Sequence, residues 1–277
     1  MEFLYTILIF LLGSAIGSFL NVVVLRYNTG KITSGRSMCF SCGHKLSPLD
    51  LVPIASFLVQ GGKCRYCGTK ISKQYPGVEI ITGILFVALF YKVLWVPILL
   101  GSVSIESFLL FILYAFIVSI LVAIAVYDIR HKIIPNMLVY LFIILSALHL
   151  FLIYPLDYLL SYPGFFDLLA GLMFFGVLGG LWLISNGKWI GLGDGKLSLG
   201  IGLLLGFTFG ISAIVLSFWI GAIFAILALI LGKIKPLGST KLTMKSEMPF
   251  APFLILGTLI ILFFPIDVIG ISYFFEI

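Results

Sequence analysis

Long runs of residues without a charged side chain recur along the chain. A helix that crosses the hydrocarbon core of a bilayer needs about 20 mostly apolar residues. The composition, 61% hydrophobic and 10% charged, lies far from that of a soluble domain. The runs cover residues 3–25, 107–127, 133–156, 168–187 and 248–266, and a further span begins near Pro76. We therefore predict an all-α polytopic membrane protein, which excludes a soluble domain, a disordered chain and a small disulfide scaffold.

One apolar run is too long for a single crossing. Residues 197–232 carry no charge, and as one helix they would extend roughly 54 Å. A hairpin turning near residues 206–210 gives eight spans and places 16 of the 17 Lys and Arg residues on one side, whereas a single span leaves 12 there. Because basic residues accumulate in cytoplasmic loops, we predict the hairpin, about eight transmembrane helices and both termini outside. The basic residues behind the net charge of +6 then indicate how the chain is oriented in the lipid bilayer. No nucleic-acid partner is expected.

This topology predicts three regions: a first transmembrane helix (1–25), a cytoplasmic insert (26–75) and a seven-helix membrane core (76–277). All four cysteines lie in the insert, as the pairs Cys39/Cys42 and Cys64/Cys67. Two CxxC pairs are typical of a tetrahedral metal site with thiolate ligands. A segment of this size is too small to fold on a hydrophobic core alone and needs a bound metal to be stable. We therefore predict structural zinc. The alternatives are two disulfides or four unpaired thiols, which a reducing compartment and the matched pairs disfavour. His44 is a rival zinc ligand.

Four carboxylates lie at or near the predicted cytoplasmic ends of spans: Glu79, Asp128, Asp194 and Glu247. Carboxylates at the membrane boundary are costly and tend to be functional, so these four are the candidates for chemistry. The acids at outer ends and loops, among them Asp167, are interpreted as solvated charges.

Asp128 and Asp194 are predicted to reach a similar depth on one face. Asp128 closes the third span, and Asp194, flanked by glycines, opens the sixth if that helix begins near Trp189. Two carboxylates in a low-dielectric site share a proton, which provides an acid and a base that can activate water against a peptide carbonyl. The glycines would let a substrate backbone approach and would tolerate unwound backbone.

Composition and spacing leave other interpretations open. Asp128 could form an interfacial ion pair with Arg130 or Lys132, and Asp194 could cap a helix. Glu79 or Glu247 could be a member of the pair instead. The same acids could also relay protons in a transporter.

At these residues the sequence resembles the type IV prepilin peptidases, the bacterial leader peptidases of the GxGD aspartyl protease group. The shared motifs occur in order and cover nearly the whole chain. They are GSFLNV (17–22), the two CxxC pairs, YPGVE (75–79), Asp128 with Ile134-Pro135 downstream, GLGDGKL (191–197) and MPFAPF (248–253).

The resemblance implies that Asp128 and Asp194 are the catalytic pair of a multi-pass enzyme of the bacterial inner membrane. It implies cleavage of prepilin and pseudopilin leaders after a glycine at the cytoplasmic face. Members that keep the cysteine insert are usually bifunctional and methylate the new N-terminus with S-adenosylmethionine. Two departures concern that second activity: residues 26–29 lack the usual arginine-leucine-proline, and no proline lies between Arg36 and Cys39.

Two functions of other classes remain as alternatives. A proton-coupled transporter would place its carboxylates near the bilayer midplane, with internal symmetry between its halves. A non-catalytic assembly factor would use the zinc insert only to bind partners.

Overall fold

A computed structural model describes residues 2–27, 35–234 and 248–275. Within these ranges the regular structure is helical, apart from two isolated β-bridges. A 3-10 turn covers Pro48–Leu51, and the π-helical turn Tyr91–Trp95 continues α3 into α4. The α-helices are α1 Glu2–Arg26, α2 Ala55–Val59, α3 Gln74–Phe90, α4 Val96–Leu99, α5 Ile105–His131, α6 Asn136–Ile153, α7 Leu156–Leu159, α8 Gly164–Ser185, α9 Leu192–Ile234, α10 Ala251–Phe263 and α11 Ser272–Phe275.

Six helical segments of the described chain are long and apolar enough to cross a membrane. They are α1, Gln74–Leu99, α5, α6, α8 and Leu192–Ile230, and α10 is a shorter apolar helix. The longest of the six is two helices joined at Gly206, so the described residues hold eight apolar helical segments. The predicted all-α polytopic architecture is confirmed.

The predicted hairpin is present, and it turns at Gly206. This residue has φ 74° and ψ −171°, outside the helical region, and α9 therefore consists of two arms, residues 192–205 and 207–234. The arms fold back on each other, because a Cβ built on Gly210 would lie 3.5 Å from the Cα of Gly202.

Asp167 of α8 holds the turn between the two arms. Its Oδ1 accepts a hydrogen bond of 2.8 Å from the backbone amide of Phe207, and its Oδ2 accepts one of 3.2 Å from the Tyr158 hydroxyl. The interpretation of Asp167 as a solvated charge was therefore wrong. Its carboxylate satisfies one of the free amides at the start of the second arm.

The chain forms two compact units, residues 1–126 and 127–277. In the first unit α1 packs against α3, and a Cβ on Gly17 would lie 2.9 Å from the Cα of Glu79. In the second unit α9 packs against α6, α8 and α10, and a Cβ on Gly202 would lie 2.5 Å from the backbone nitrogen of Gly171. Glycine at these contacts lets helix backbones approach closely, as in other membrane helix pairs.

Candidate active site and metal site

Asp128 and Asp194 line one cleft in the unit of residues 127–277. The cleft has a volume of about 650 Å³. Asp128 is 4% exposed and Asp194 is 7% exposed. The charges of the two carboxylates interact with each other. The structure thus brings together two carboxylates that lie 66 positions apart in the chain.

Asp128 lies one turn before the end of α5, because this helix continues to His131. Its carboxylate lies beside the backbone of Ala251, the first residue of α10. Within the described residues, neither Arg130 nor Lys132 forms an ion pair with Asp128. The structure does not support the interpretation of Asp128 as a plain interfacial ion pair.

Asp194 lies in the first turn of α9. The helix begins at Leu192 and not near Trp189. Asn186 (φ 49°) and Gly187 (φ 75°) end α8 in the left-handed region, and residues 188–191 connect the two helices. Asp194 Oδ2 accepts a hydrogen bond of 3.3 Å from the Gly191 amide, so the predicted capping role is partly correct. Its Oδ1 is buried and has no hydrogen-bond partner in the described part of the chain. A buried oxygen without a partner marks a place where water or a substrate group can bind.

The glycines around Asp194 have a packing role. A Cβ on Gly193 would lie 2.9 Å from Ile134 Cβ, and one on Gly195 would lie 3.3 Å from the backbone nitrogen of Gly179 in α8. The backbone at Gly193 and Gly195 is helical, so the unwound backbone that these glycines would tolerate is not present there. They let the first turn of α9, and with it Asp194, lie close to its neighbours.

The four cysteines of the insert form one cluster. Their Sγ atoms all lie within 4.8 Å of one another, and none of the four is in a disulfide. A tetrahedral site with metal–sulfur bonds near 2.3 Å spaces its sulfurs about 3.8 Å apart, and Cys39 and Cys67 Sγ are 3.8 Å apart. The donor set and its spacing fit a bound metal ion.

Each cysteine pair is presented by a similar turn. The Gly43 amide donates to the Cys39 carbonyl at 2.8 Å, and the Gly68 amide donates to the Cys64 carbonyl at 2.9 Å. Both glycines have positive φ, 69° and 73°, which glycine adopts without strain. The rival ligand His44 lies outside the cluster and packs against Tyr66, with ring centroids 3.6 Å apart and the rings tilted by 31°.

The Thr69 hydroxyl lies 3.3 Å from Cys67 Sγ and favours the thiolate form of that side chain. It is the main reason that the pKa of the Cys67 thiol falls to about 6. The thiolate is the form of cysteine that ligates metals.

Asp50 supports the second cysteine pair. This role of Asp50 was not predicted from the sequence. Its carboxylate accepts hydrogen bonds from the Ser47 hydroxyl (2.8 Å), Gln60 (3.0 Å) and the Tyr66 hydroxyl (3.2 Å), and it pairs with Arg65 at 3.3 Å. The bond from Ser47, together with the Arg65 charge, outweighs burial and lowers the pKa of Asp50. Arg65 and Tyr66 lie between Cys64 and Cys67, so Asp50 orients the turn that presents these two sulfurs.

Two family models match the chain. The Bacterial Peptidase A24 N-terminal domain matches residues 11–93, and the Type IV leader peptidase family matches residues 115–226. A prepilin leader peptidase/N-methyltransferase of Bacillus subtilis (strain 168) is 33% identical over 255 residues, which cover 91% of this chain and 92% of that protein. The chain belongs to the type IV leader peptidase family.

Other relatives of this leader peptidase carry the same name. The protein of Pseudomonas aeruginosa is 29% identical over 279 residues, 88% of this chain and 85% of its own length. That of Vibrio cholerae is 34% identical over 158 residues, 54% of this chain and 58% of its own length. No solved structure matches.

The cleft of the leader peptidase also holds residues that sequence reasoning missed. Lys196 Nζ donates to Asn136 Oδ1 at 2.9 Å and to the Tyr140 hydroxyl at 3.3 Å, which ties α9 to α6. Lys132, Trp189, Phe218 and Phe250 also line the cleft. Lys196 follows Asp194 by two residues, and this proximity could have indicated a place in the cleft. The sequence analysis used Lys196 only as one of the basic residues that assign the orientation.

The other two candidate carboxylates have different outcomes. Glu79 belongs to the unit of residues 1–126, where it is 6% exposed and its Oε2 accepts a hydrogen bond of 2.7 Å from the Ile54 amide. Glu247 lies outside the described residues.

Proposed function

We propose that this chain is a membrane aspartyl endopeptidase that removes the leaders of type IV prepilins and pseudopilins, with Asp128 and Asp194 as its catalytic pair. One observation carries the proposal: these distant aspartates are both buried in a single cleft, and Asp194 Oδ1 has no partner there among the described residues. The names of the relatives support the choice of substrate.

The chemistry follows from two carboxylates that share one proton. The ionised carboxylate takes a proton from water, which attacks the scissile carbonyl carbon. The protonated carboxyl group donates a hydrogen bond to the carbonyl oxygen and so stabilises the negative charge that develops there. The Gly191 amide keeps Asp194 in place by donating a hydrogen bond to its carboxylate, and the first residue of α10, Ala251, lies beside Asp128.

Substitution of either aspartate tests the proposal. Asp128→Asn or Asp194→Asn should lower cleavage of a purified prepilin by about 100- to 10,000-fold, because each removes an acid–base group. Asp157→Asn, a change at an exposed aspartate, is the matched control and should cleave normally. Normal cleavage by either variant of the pair, in protein that still inserts, would exclude the dyad.

We propose methyl transfer to the new N-terminus as a second activity, with S-adenosylmethionine as the donor. The relatives' names include N-methyltransferase, and the four cysteines that accompany this activity in the resemblance are all present. Cys39, Cys42, Cys64 and Cys67 would hold a structural Zn²⁺, which supplies folding energy to the insert and takes no part in either reaction.

Mass spectrometry of a co-expressed prepilin reads both activities at its N-terminus. The expected product begins at the residue after the leader glycine and carries one additional methyl group. A cleaved but unmethylated product would remove the second activity and leave the first. Methylation that persists after deletion of residues 35–73 would show that the insert is not required for it.

The proposal includes location and organisation. The enzyme would lie in the bacterial inner membrane with its cleft toward the cytoplasm, on the side where the basic residues accumulate. Residues 1–25 would be the first transmembrane helix, 26–75 the zinc insert and 76–277 the seven-helix peptidase core. The relatives carry leader peptidase names, and the transporter interpretation has no support from them.

A further inference from the structure

The segment of residues 48–59, here called the apolar loop, exposes large aliphatic side chains. Its sequence is PLDLVPIASFLV. Leu49, Leu58 and Val59 are 69%, 70% and 81% exposed. The one charged side chain, Asp50, is 2% exposed and turned toward Arg65. Contiguous exposed apolar residues of this kind mark a surface that contacts another protein or a membrane.

The exposed side chains do not belong to an unfilled core of the insert. Phe57 packs inward, since its ring lies 3.0 Å from a Cβ built on Gly62. Its neighbours Leu58 and Val59 are largely exposed. The loop thus has an inner side that packs and an outer aliphatic side that does not.

A hydrogen bond places the apolar loop at the membrane boundary. The Ile54 amide donates to Glu79 Oε2 at 2.7 Å. Glu79 lies five residues after Gln74, the first residue of the span Gln74–Leu99, so it is about 7 Å inside that end of the span. The middle of the loop is therefore held beside the first turns of α3.

The charges around the loop match an anionic lipid surface. Among residues 35–73 Asp50 is the sole carboxylate, and it is paired with Arg65. The basic residues of this segment are all exposed, and they are Arg36, Lys45, Lys63, Arg65, Lys70 and Lys73. Aliphatic side chains next to exposed lysines are typical of segments that lie in the lipid–water interface, whereas protein interfaces are depleted of lysine.

We infer that residues 48–59 insert into the lipid–water interface at the membrane face where α1 ends and α3 begins. Leu58 and Val59 contact acyl chains, and the neighbouring lysines contact anionic headgroups. The cysteine cluster is then held against the membrane by the loop as well as by its two helical connections. This inference is independent of the proposed reactions.

Photocrosslinking in the full chain tests the inference. A photoreactive diazirine side chain replaces Val59 in protein reconstituted in vesicles of phosphatidylethanolamine and phosphatidylglycerol, and mass spectrometry identifies the adducts. Ser41, an exposed residue between two cysteines, is the matched control position. We expect lipid adducts at position 59 to exceed those at position 41 several-fold.

Three results would overturn parts of the inference. Adducts at position 59 that join to this chain or to a prepilin would show that protein covers the loop. Equal lipid labelling at positions 59 and 41 would exclude insertion. Undiminished labelling at position 59 in phosphatidylcholine vesicles would exclude the headgroup contacts. Bound metal per chain, measured for both labelled proteins, verifies that the insert is folded.

Discussion

Gly193 precedes Asp194 and has little space, because Ile134 packs against it. A Cβ at position 193 would lie 2.9 Å from Ile134 Cβ, and this branched carbon cannot move without its backbone. Gly193→Ala should therefore displace the first turn of α9 and lower prepilin cleavage by about 100-fold, as expected for a misplacement near 1 Å. Gly176→Ala is the control, since a Cβ there meets nothing within 4 Å. Equal cleavage rates of the two variants would contradict this account.

The contacts of Asp50 with the second cysteine turn predict that it affects metal affinity. Asp50→Asn removes the charge that pairs with Arg65 and should weaken metal binding about 10- to 100-fold, as for other partners of ligand-bearing turns. A competition titration with a chromophoric chelator measures this, with Lys45→Gln as a charge-changing control in the same segment. Since the folded pKa of Asp50 is lowered, its stabilisation is present above about pH 4 and is lost as the pH falls through the folded pKa. Unchanged affinity in the variant would show that Arg65 and Tyr66 do not orient the cysteine turn.

Residue identity alone predicted some of these positions and not others. The clustering of the four cysteines could be predicted from their spacing. The shared cleft of Asp128 and Asp194 could be predicted from their places at span ends together with the family resemblance. Asp50 and Asp167 could not, because their roles depend on tertiary partners such as Gln60 and the Phe207 amide. No spacing in the sequence distinguishes them from solvated acids.

The turn between the two arms of α9 depends on one glycine. With φ 74° and ψ −171°, position 206 has a conformation that is nearly restricted to glycine, and a Cβ there would lie 2.5 Å from Asp167 Oδ1. Gly206→Ala should cost about 1–3 kcal/mol of folding free energy from backbone strain, with the clash in addition. Thermal unfolding in detergent measures the loss. Gly180→Ala in α8, where a Cβ meets no atom within 4 Å, should unfold at the wild-type temperature.

The two ends of the first arm of α9 were not equally predictable. The one-sided distribution of lysines and arginines favoured a hairpin, with its turn expected near residues 206–210, and the turn is there. The start of the arm was placed three residues too early, near Trp189. The left-handed residues Asn186 and Gly187 end α8, and residues 188–191 connect it to α9 without helical structure. Charge patterns do not report such local backbone geometry.

The stability of the whole molecule is divided unequally between its parts. In residues 35–73, all of which the structure describes, Cys64 is the one apolar side chain that is buried. The membrane helices, in contrast, bury large side chains such as Phe86, Phe142 and Leu254. The insert thus lacks a hydrophobic core, and a metal ion on its four cysteines would supply most of its folding free energy.

Metal removal should therefore separate the two proposed activities. A strong chelator should expose the amides of residues 35–73 to hydrogen exchange, while α8 and α9 keep their protection. Prepilin cleavage should persist, because Asp128 and Asp194 belong to the unit of residues 127–277 and bind no metal in the proposed reaction. Methyl transfer should fall with the protection of the insert and return when Zn²⁺ is added back. Cleavage that falls in parallel with methyl transfer would show instead that the metal-bound insert is needed by the aspartyl site.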